Sequence, residues 1–94
     1  MVTVKQSKIH GRGLFATKFI RKGTVIGSVE GRRTTKDGPY VLWLDARKGI
    51  EVFNELKFIN HSDQANAVYY DDLTVVALVG IQAGEEVTHH YDGE

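Results

Sequence analysis

The sequence predicts a mainly β domain of short strands, with at most short helical turns. Three observations carry this reading. Valine, isoleucine and threonine supply 24 of the 94 residues, and these branched side chains suit a pleated, half-buried surface. No stretch beyond about ten residues keeps a helical period. Short apolar runs are punctuated by turn formers, as at Arg21-Lys22-Gly23, Gly38-Pro39 and Gly80-Ile81-Gln82-Ala83-Gly84, where glycine and proline set the turn dihedrals.

Taken in order, residues 2–6 alternate and read as a strand. Residues 24–30 read as a second strand ending at Gly31, followed by a polar loop over 32–39 that holds the only proline. Residues 40–44, Tyr-Val-Leu-Trp-Leu, read as a strand apolar enough to be buried on both faces. A turn at 45–49 leads to an alternating strand at 50–53 and one helical turn at 54–57. Residues 67–70 and 73–79 flank Asp71-Asp72, the pattern of a hairpin. No internal repeat or low-complexity segment interrupts the chain.

Composition bounds the function. Ninety-four residues make one small domain, with a core that is thin for its surface. The absence of cysteine excludes disulfides, cysteine-based zinc sites and thiol catalysis, and fits a reducing compartment. No apolar run approaches the length of a membrane span, and the start lacks the apolar segment of a signal peptide. The expected location is therefore cytoplasmic or nuclear. Residues 1–50 carry a charge of about +8 and residues 51–94 about −8, for a net charge of zero. The two halves neutralise each other when packed, or the acidic half offers a face to a basic peptide. Zero net charge speaks against a direct nucleic-acid binder.

Three stretches are dense in chemistry. Phe58-Ile59-Asn60-His61-Ser62-Asp63-Gln64-Ala65-Asn66 places many hydrogen-bonding groups behind an apolar pair, the composition of a loop held by buried anchors. Gly11-Arg12-Gly13-Leu14-Phe15-Ala16 frees the backbone for a tight turn and close approach of a ligand. That stretch also fits the dinucleotide fingerprint, with Glu30 as the acid. A Rossmann unit then needs a helix of a dozen residues, whereas the chain reaches the turn Arg21-Lys22-Gly23 within eight residues of Gly13, so that reading is rejected. The third stretch is Gly84-Glu85-Glu86-Val87-Thr88-His89-His90-Tyr91.

Together these stretches resemble the signature of the SET domain, the fold of most protein lysine methyltransferases. Gly11-Arg12-Gly13-Leu14-Phe15-Ala16 with Lys22-Gly23, Lys57-Phe58-Ile59-Asn60-His61-Ser62 with Asn66, and Gly84-Glu85-Glu86 with Val87-Thr88 and Tyr91 match its motifs in order. The resemblance implies a β-clip-like fold of short twisted sheets whose C-terminal stretch threads under the loop before it, a knot-like and rare arrangement. It implies one minimal SET domain over residues 1–94 that transfers a methyl group from S-adenosylmethionine to a lysine of a basic protein. By the same resemblance Tyr91 is the catalytic tyrosine and Gly11, Arg12 and Gly13 lie along the cofactor. Asn60 binds the cofactor's amino-acid end, His61 meets its adenine mainly through backbone, and Tyr40 and His89 line the lysine channel.

Some positions depart from the family pattern. Asp63 and Ala65 stand where the family has cysteine and proline, which loosens the loop. His89 stands in place of an aromatic, where a charged imidazole would disfavour a cationic substrate. His90 replaces an aspartate. On a strand, His89 and His90 face opposite ways, which argues against a metal site built from the two. After Tyr91 only three residues follow, whereas larger relatives close the channel with a further segment. A homodimer, or the substrate itself, is the expected cover. The competing reading is a non-catalytic SET-like module that binds a peptide or protein partner.

Overall fold

The computed structural model describes residues 1–70 and 72–90 of the chain. Among these described residues, ten short strands form three small sheets. β1 (Val2–Gln6), β2 (Arg12–Ala16), β10 (Glu86–His89) and β7 (Asn60–His61) make a four-stranded sheet in the order β1-β2-β10-β7. β3 (Val25–Ser28), β9 (Thr74–Ala77) and β8 (Ala67–Tyr69) form the second, in the order β3-β9-β8. β4 (Gly31–Thr34), β6 (Gly49–Val52) and β5 (Val41–Trp43) form the third, in the order β4-β6-β5. The helical turn is a 3₁₀ turn at Glu55–Phe58. The mainly β prediction and the SET-like arrangement of small sheets both hold.

The core follows the alternation of the central strands. Leu14 of β2 and Val87 of β10 face each other across an antiparallel pair and are fully buried, with Val75, Ile20 and Ile81. The last two also bridge the loops on either side, exchanging backbone hydrogen bonds of 2.8 Å in both directions. Burying one such aliphatic side chain contributes about 2 kcal/mol.

Strand β10 is enclosed. It pairs antiparallel with β2 through Glu86 and Val87, and parallel with β7 through Thr88↔Asn60 and His89↔His61. The loop between β7 and β8 covers it. Ser62 donates its amide to the His89 carbonyl at 2.9 Å, and the Asn66 side chain grips β10 on both sides of Val87. Asn66 Nδ2 donates to the Glu86 carbonyl and its Oδ1 accepts from the Thr88 amide, each at 2.8 Å. An asparagine matches this role because its amide offers one donor and one acceptor, like a peptide group. This is the threaded arrangement the motifs imply.

Three expectations need correction. Asn60 and His61, read as part of a polar loop, form strand β7, because β10 offers them main-chain partners that the local composition does not reveal. Residues 31–34 lie in strand β4, paired with β6, where a polar loop was expected from residue 32. This edge strand is largely exposed, so its sequence Gly-Arg-Arg-Thr shows no apolar alternation. Its register is carried by main-chain pairing and by Arg32 Nε, 3.1 Å from Glu51 Oε1 on the neighbouring strand. Strand β5 was expected to be buried on both faces. It is a half-buried edge strand, and Trp43 turns its indole N–H to Asp37 Oδ1 at 3.2 Å. The hairpin at 67–79 is present; Thr74 donates its amide and its hydroxyl to Asp72 Oδ1, and these bonds hold that carboxyl below its ordinary range.

The two motif glycines have different physical reasons. Gly11 has φ 45° and a Cβ there would meet nothing within 4 Å, so its requirement is conformational. Gly13 is buried, and a Cβ there would collide with the Glu86 carboxylate and reach 3.0 Å from Ser7 Cβ. Gly13→Ala is therefore expected to destabilise the fold by about 2 kcal/mol through overpacking, and Gly11→Ala by about 1 kcal/mol through backbone strain. Urea midpoints of the two variants should fall in that order.

Candidate functional site

The site is built where the glycine turn, β7 and β10 meet. The Glu86 carboxylate sits at the junction. Ser7 Oγ lies 2.7 and 2.9 Å from its two oxygens and donates to it, and Asn60 Nδ2 donates to Oε2 at 2.8 Å. The same Asn60 nitrogen lies 3.1 Å from the carbonyls of His10 and Arg12. Three oxygens around one nitrogen fix the orientation of the amide. Asn60 thereby ties the glycine turn to β10, while its Oδ1 accepts no hydrogen bond among the described residues. Ser7 in turn accepts the amides of Ile9 at 2.9 Å and His10 at 3.4 Å, shaping the entry to the turn.

Three cavities adjoin this junction: one of about 560 Å³ lined by Val4, Lys5, Gln6, Gly11 and Arg12, and two that share Tyr40. The larger of these two, about 410 Å³, is lined by His10, Gly11, Arg12, Pro39, Tyr40 and the segment 57–60. Its volume lies within the range of small-molecule clefts, about 300–1,000 Å³. The smaller, about 30 Å³, is lined by Pro39 to Leu42, Val52, Leu56, Lys57, Ile59, Tyr69 and His89. The two share Pro39, Tyr40, Lys57 and Ile59. Tyr40 meets Phe58 edge to face at 5.8 Å, and the Lys57 ammonium lies 5.0 Å from the Tyr40 ring and 5.2 Å from the Phe58 ring. A cation so placed is attracted by both ring faces.

His89 is 3% exposed and meets the Tyr69 ring edge to face at 4.6 Å. Burial first, then repulsion from His61 and His90, pushes its imidazole down to about 4. It is neutral at physiological pH, which removes the electrostatic objection raised by a histidine at this position.

The structure thus gathers Gly11, Arg12, Asn60 and Tyr40 around the larger cavity, and Tyr40 and His89 around the smaller. Gly13 and His61 line neither. Gly13 packs against Glu86, and the His61 side chain turns to Asp63 and His90. Tyr91 lies outside the described residues. Residues the sequence reading passed over are Tyr69, Lys57, His10 and Pro39, which line the cavities, and Glu86, which organises them. For Lys57 and Glu86 the signal was present, since both lie inside quoted motifs. For Tyr69 no local pattern separates it from Tyr70, which is exposed.

Small sheets wrapped around an enclosed C-terminal strand, with a glycine turn and an Asn-His pair at its side, define the SET architecture. The chain belongs to the SET domain family, whose pattern matches residues 11–92. It is 31% identical over 114 aligned positions to the histone-lysine N-methyltransferase trithorax of Drosophila virilis, a match covering 96% of this chain and 3% of that protein. The chain therefore spans a small fraction of that relative's length. Its fold is also similar to the crystal structure of a Plasmodium falciparum protein provisionally described as a histone methyltransferase. That likeness has a TM-score of 0.76 at 19% identity, over 100% of this chain and 99% of the other.

The depressed His89 basicity makes a pH prediction. In the unfolded chain the imidazole returns to about 6.5, so between about 4 and 6.5 the unfolded state binds the extra proton. Stability therefore rises with pH across this window, and is lost as pH falls from about 6.5 towards 4, by up to about 3 kcal/mol. His89→Phe, which cannot titrate, should flatten this dependence when urea midpoints at pH 5 and pH 7.5 are compared.

Proposed function

We propose that the domain transfers a methyl group from S-adenosylmethionine to the side chain of a lysine in a basic protein. The observation that carries this is the pair of adjoining cavities, one of cofactor size and one narrow, sharing a wall that includes Tyr40. The cofactor would supply an electrophilic methyl on a sulfonium. The residues around the larger cavity suit it: Arg12 and Lys57 bring positive charge for a carboxylate, Asn60 Oδ1 offers an acceptor for an amine, and the turn at Gly11 lets backbone approach closely.

The chain's own task is to prepare the lysine. A free lysine has a pKa of about 10.4, so presenting its neutral amine at pH 7 costs roughly 4–5 kcal/mol. A narrow channel desolvates the ammonium and lowers that pKa. The smaller cavity, about 30 Å³, holds little more than one water, so Tyr40 and Tyr69 would have to part to admit the aliphatic stem, while neutral His89 adds no repelling charge. Holding the amine in line within the channel then supplies part of the barrier as orientation. The acidic half of the chain supports basic substrates less directly than its count suggests, because Glu86, Asp72 and Glu51 hold local partners. The SET family membership and the activity for which the trithorax relative is named support the same reading.

Incubation with radiolabelled S-adenosylmethionine and a panel of basic proteins, core histones included, should label lysine. Tyr91→Phe should reduce labelling by about tenfold or more. Labelling absent from the wild type across the panel, at cofactor concentrations that bind, would leave a SET-like binding module in its place.

A further inference from the structure

Three metal-binding side chains converge on the covering loop, away from both cavities. His61 Nε2 lies 3.2 Å from Asp63 Oδ1, and His90 Nε2 lies 3.5 Å from the same oxygen. One donor atom of each residue lies within 4.8 Å of the other two. The two imidazole rings stand 4.7 Å apart between centroids, tilted by 54°.

Strand pairing brings them near one another. Parallel pairing sets His89 of β10 opposite His61 of β7. His89 is buried, and His90 follows just beyond the end of the strand, where alternation no longer fixes its side and its ring meets that of His61. The sequence reading tested His89 with His90; the partner of His90 is instead a histidine from another strand. Asp63, two residues after His61, completes the triangle from the loop.

The geometry and the donor types fit one class of ligand. Two ligands each about 2.0–2.1 Å from a tetrahedral ion stand roughly 3.3 Å apart. Two edges of the triangle, at 3.2 and 3.5 Å, already have that length. Two imidazoles and one carboxylate are the donors that late first-row divalent ions prefer, and are a poor set for magnesium or calcium, which take oxygen. Asp63 is 90% exposed and the histidine side chains about one-third exposed, so an ion can enter from solvent.

We propose that His61, Asp63 and His90 form a site for a divalent transition metal such as Zn²⁺. The ion would staple the loop that covers β10 to the end of that strand, immediately before Tyr91. In such a staple the binding free energy adds to folding stability by mass action. This inference does not rest on the methyl-transfer reading, and its test reads binding and stability.

The test uses tag-free, chelator-stripped protein at pH 7.5, titrated calorimetrically with ZnCl₂ and followed by thermal unfolding. One ion should bind per chain, the unfolding temperature should rise with zinc and return with EDTA, and MgCl₂ should give neither effect. Asp63→Ala and His90→Ala should each weaken zinc binding by about tenfold or more, the least that loss of a metal's supporting groups costs. His10→Ala should leave zinc binding unchanged. Circular dichroism of the metal-free variants checks folding, and Asp63→Ala decides the matter if His90→Ala does not fold, because Asp63 lies on the surface. Absence of binding below about 1 mM, or equal affinity in wild type and Asp63→Ala, would overturn the site and leave a polar contact between Asp63 and the two imidazoles.

Discussion

The arrangement depends on one carboxylate. Glu86 sits at the start of the enclosed strand and takes hydrogen bonds from Ser7 and Asn60, residues 79 and 26 positions away. Bonds to an ionised acceptor are roughly twice as strong as neutral ones, and a carboxylate is acceptor-only, so both oxygens can serve donors. Asn60 reaches from that carboxylate to the carbonyls of His10 and Arg12. The position of the glycine turn, and with it one wall of the larger cavity, is thereby coupled to the threading of β10. Gly13 completes the coupling, because a side chain there would take the space the carboxylate occupies.

The second constraint is enclosure. β10 has β2 paired along Glu86 and Val87, β7 along Thr88 and His89, and the Asn66 amide gripping its backbone on both sides of Val87. That enclosure also buries His89, and burial determines its chemistry. An imidazole held neutral beside Tyr69 behaves as a small aromatic wall.

What was legible in the sequence follows from which forces act locally. Alternation exposed β1, β6 and the hairpin of β8 and β9, since one face of each meets the core. It missed β4, an exposed edge strand held by main-chain pairing and the Arg32–Glu51 ion pair rather than by apolar alternation, and it overstated the burial of β5, whose apolar residues sit at a sheet edge. Motifs brought out Gly11, Asn60 and Tyr40. They did not separate the reasons for Gly11 and Gly13, one conformational and one steric, because the crowding at Gly13 comes from a residue far along the chain. Tyr69 and the meeting of His61 with His90 were illegible for the same reason: both depend on the registry of strands distant in sequence.

The most direct measurement is calorimetric titration of S-adenosylmethionine into the wild type and Glu86→Gln. With an amide at position 86, either Ser7 or Asn60 faces an N–H in place of an acceptor, and the loss of a charge-assisted bond costs about 2 kcal/mol. The account predicts binding near micromolar, about 8 kcal/mol, in the wild type, and at least about tenfold weaker binding in a variant that still folds. Equal affinity in the two proteins would contradict it, because the cleft would then stand without the carboxylate on which it is argued to depend.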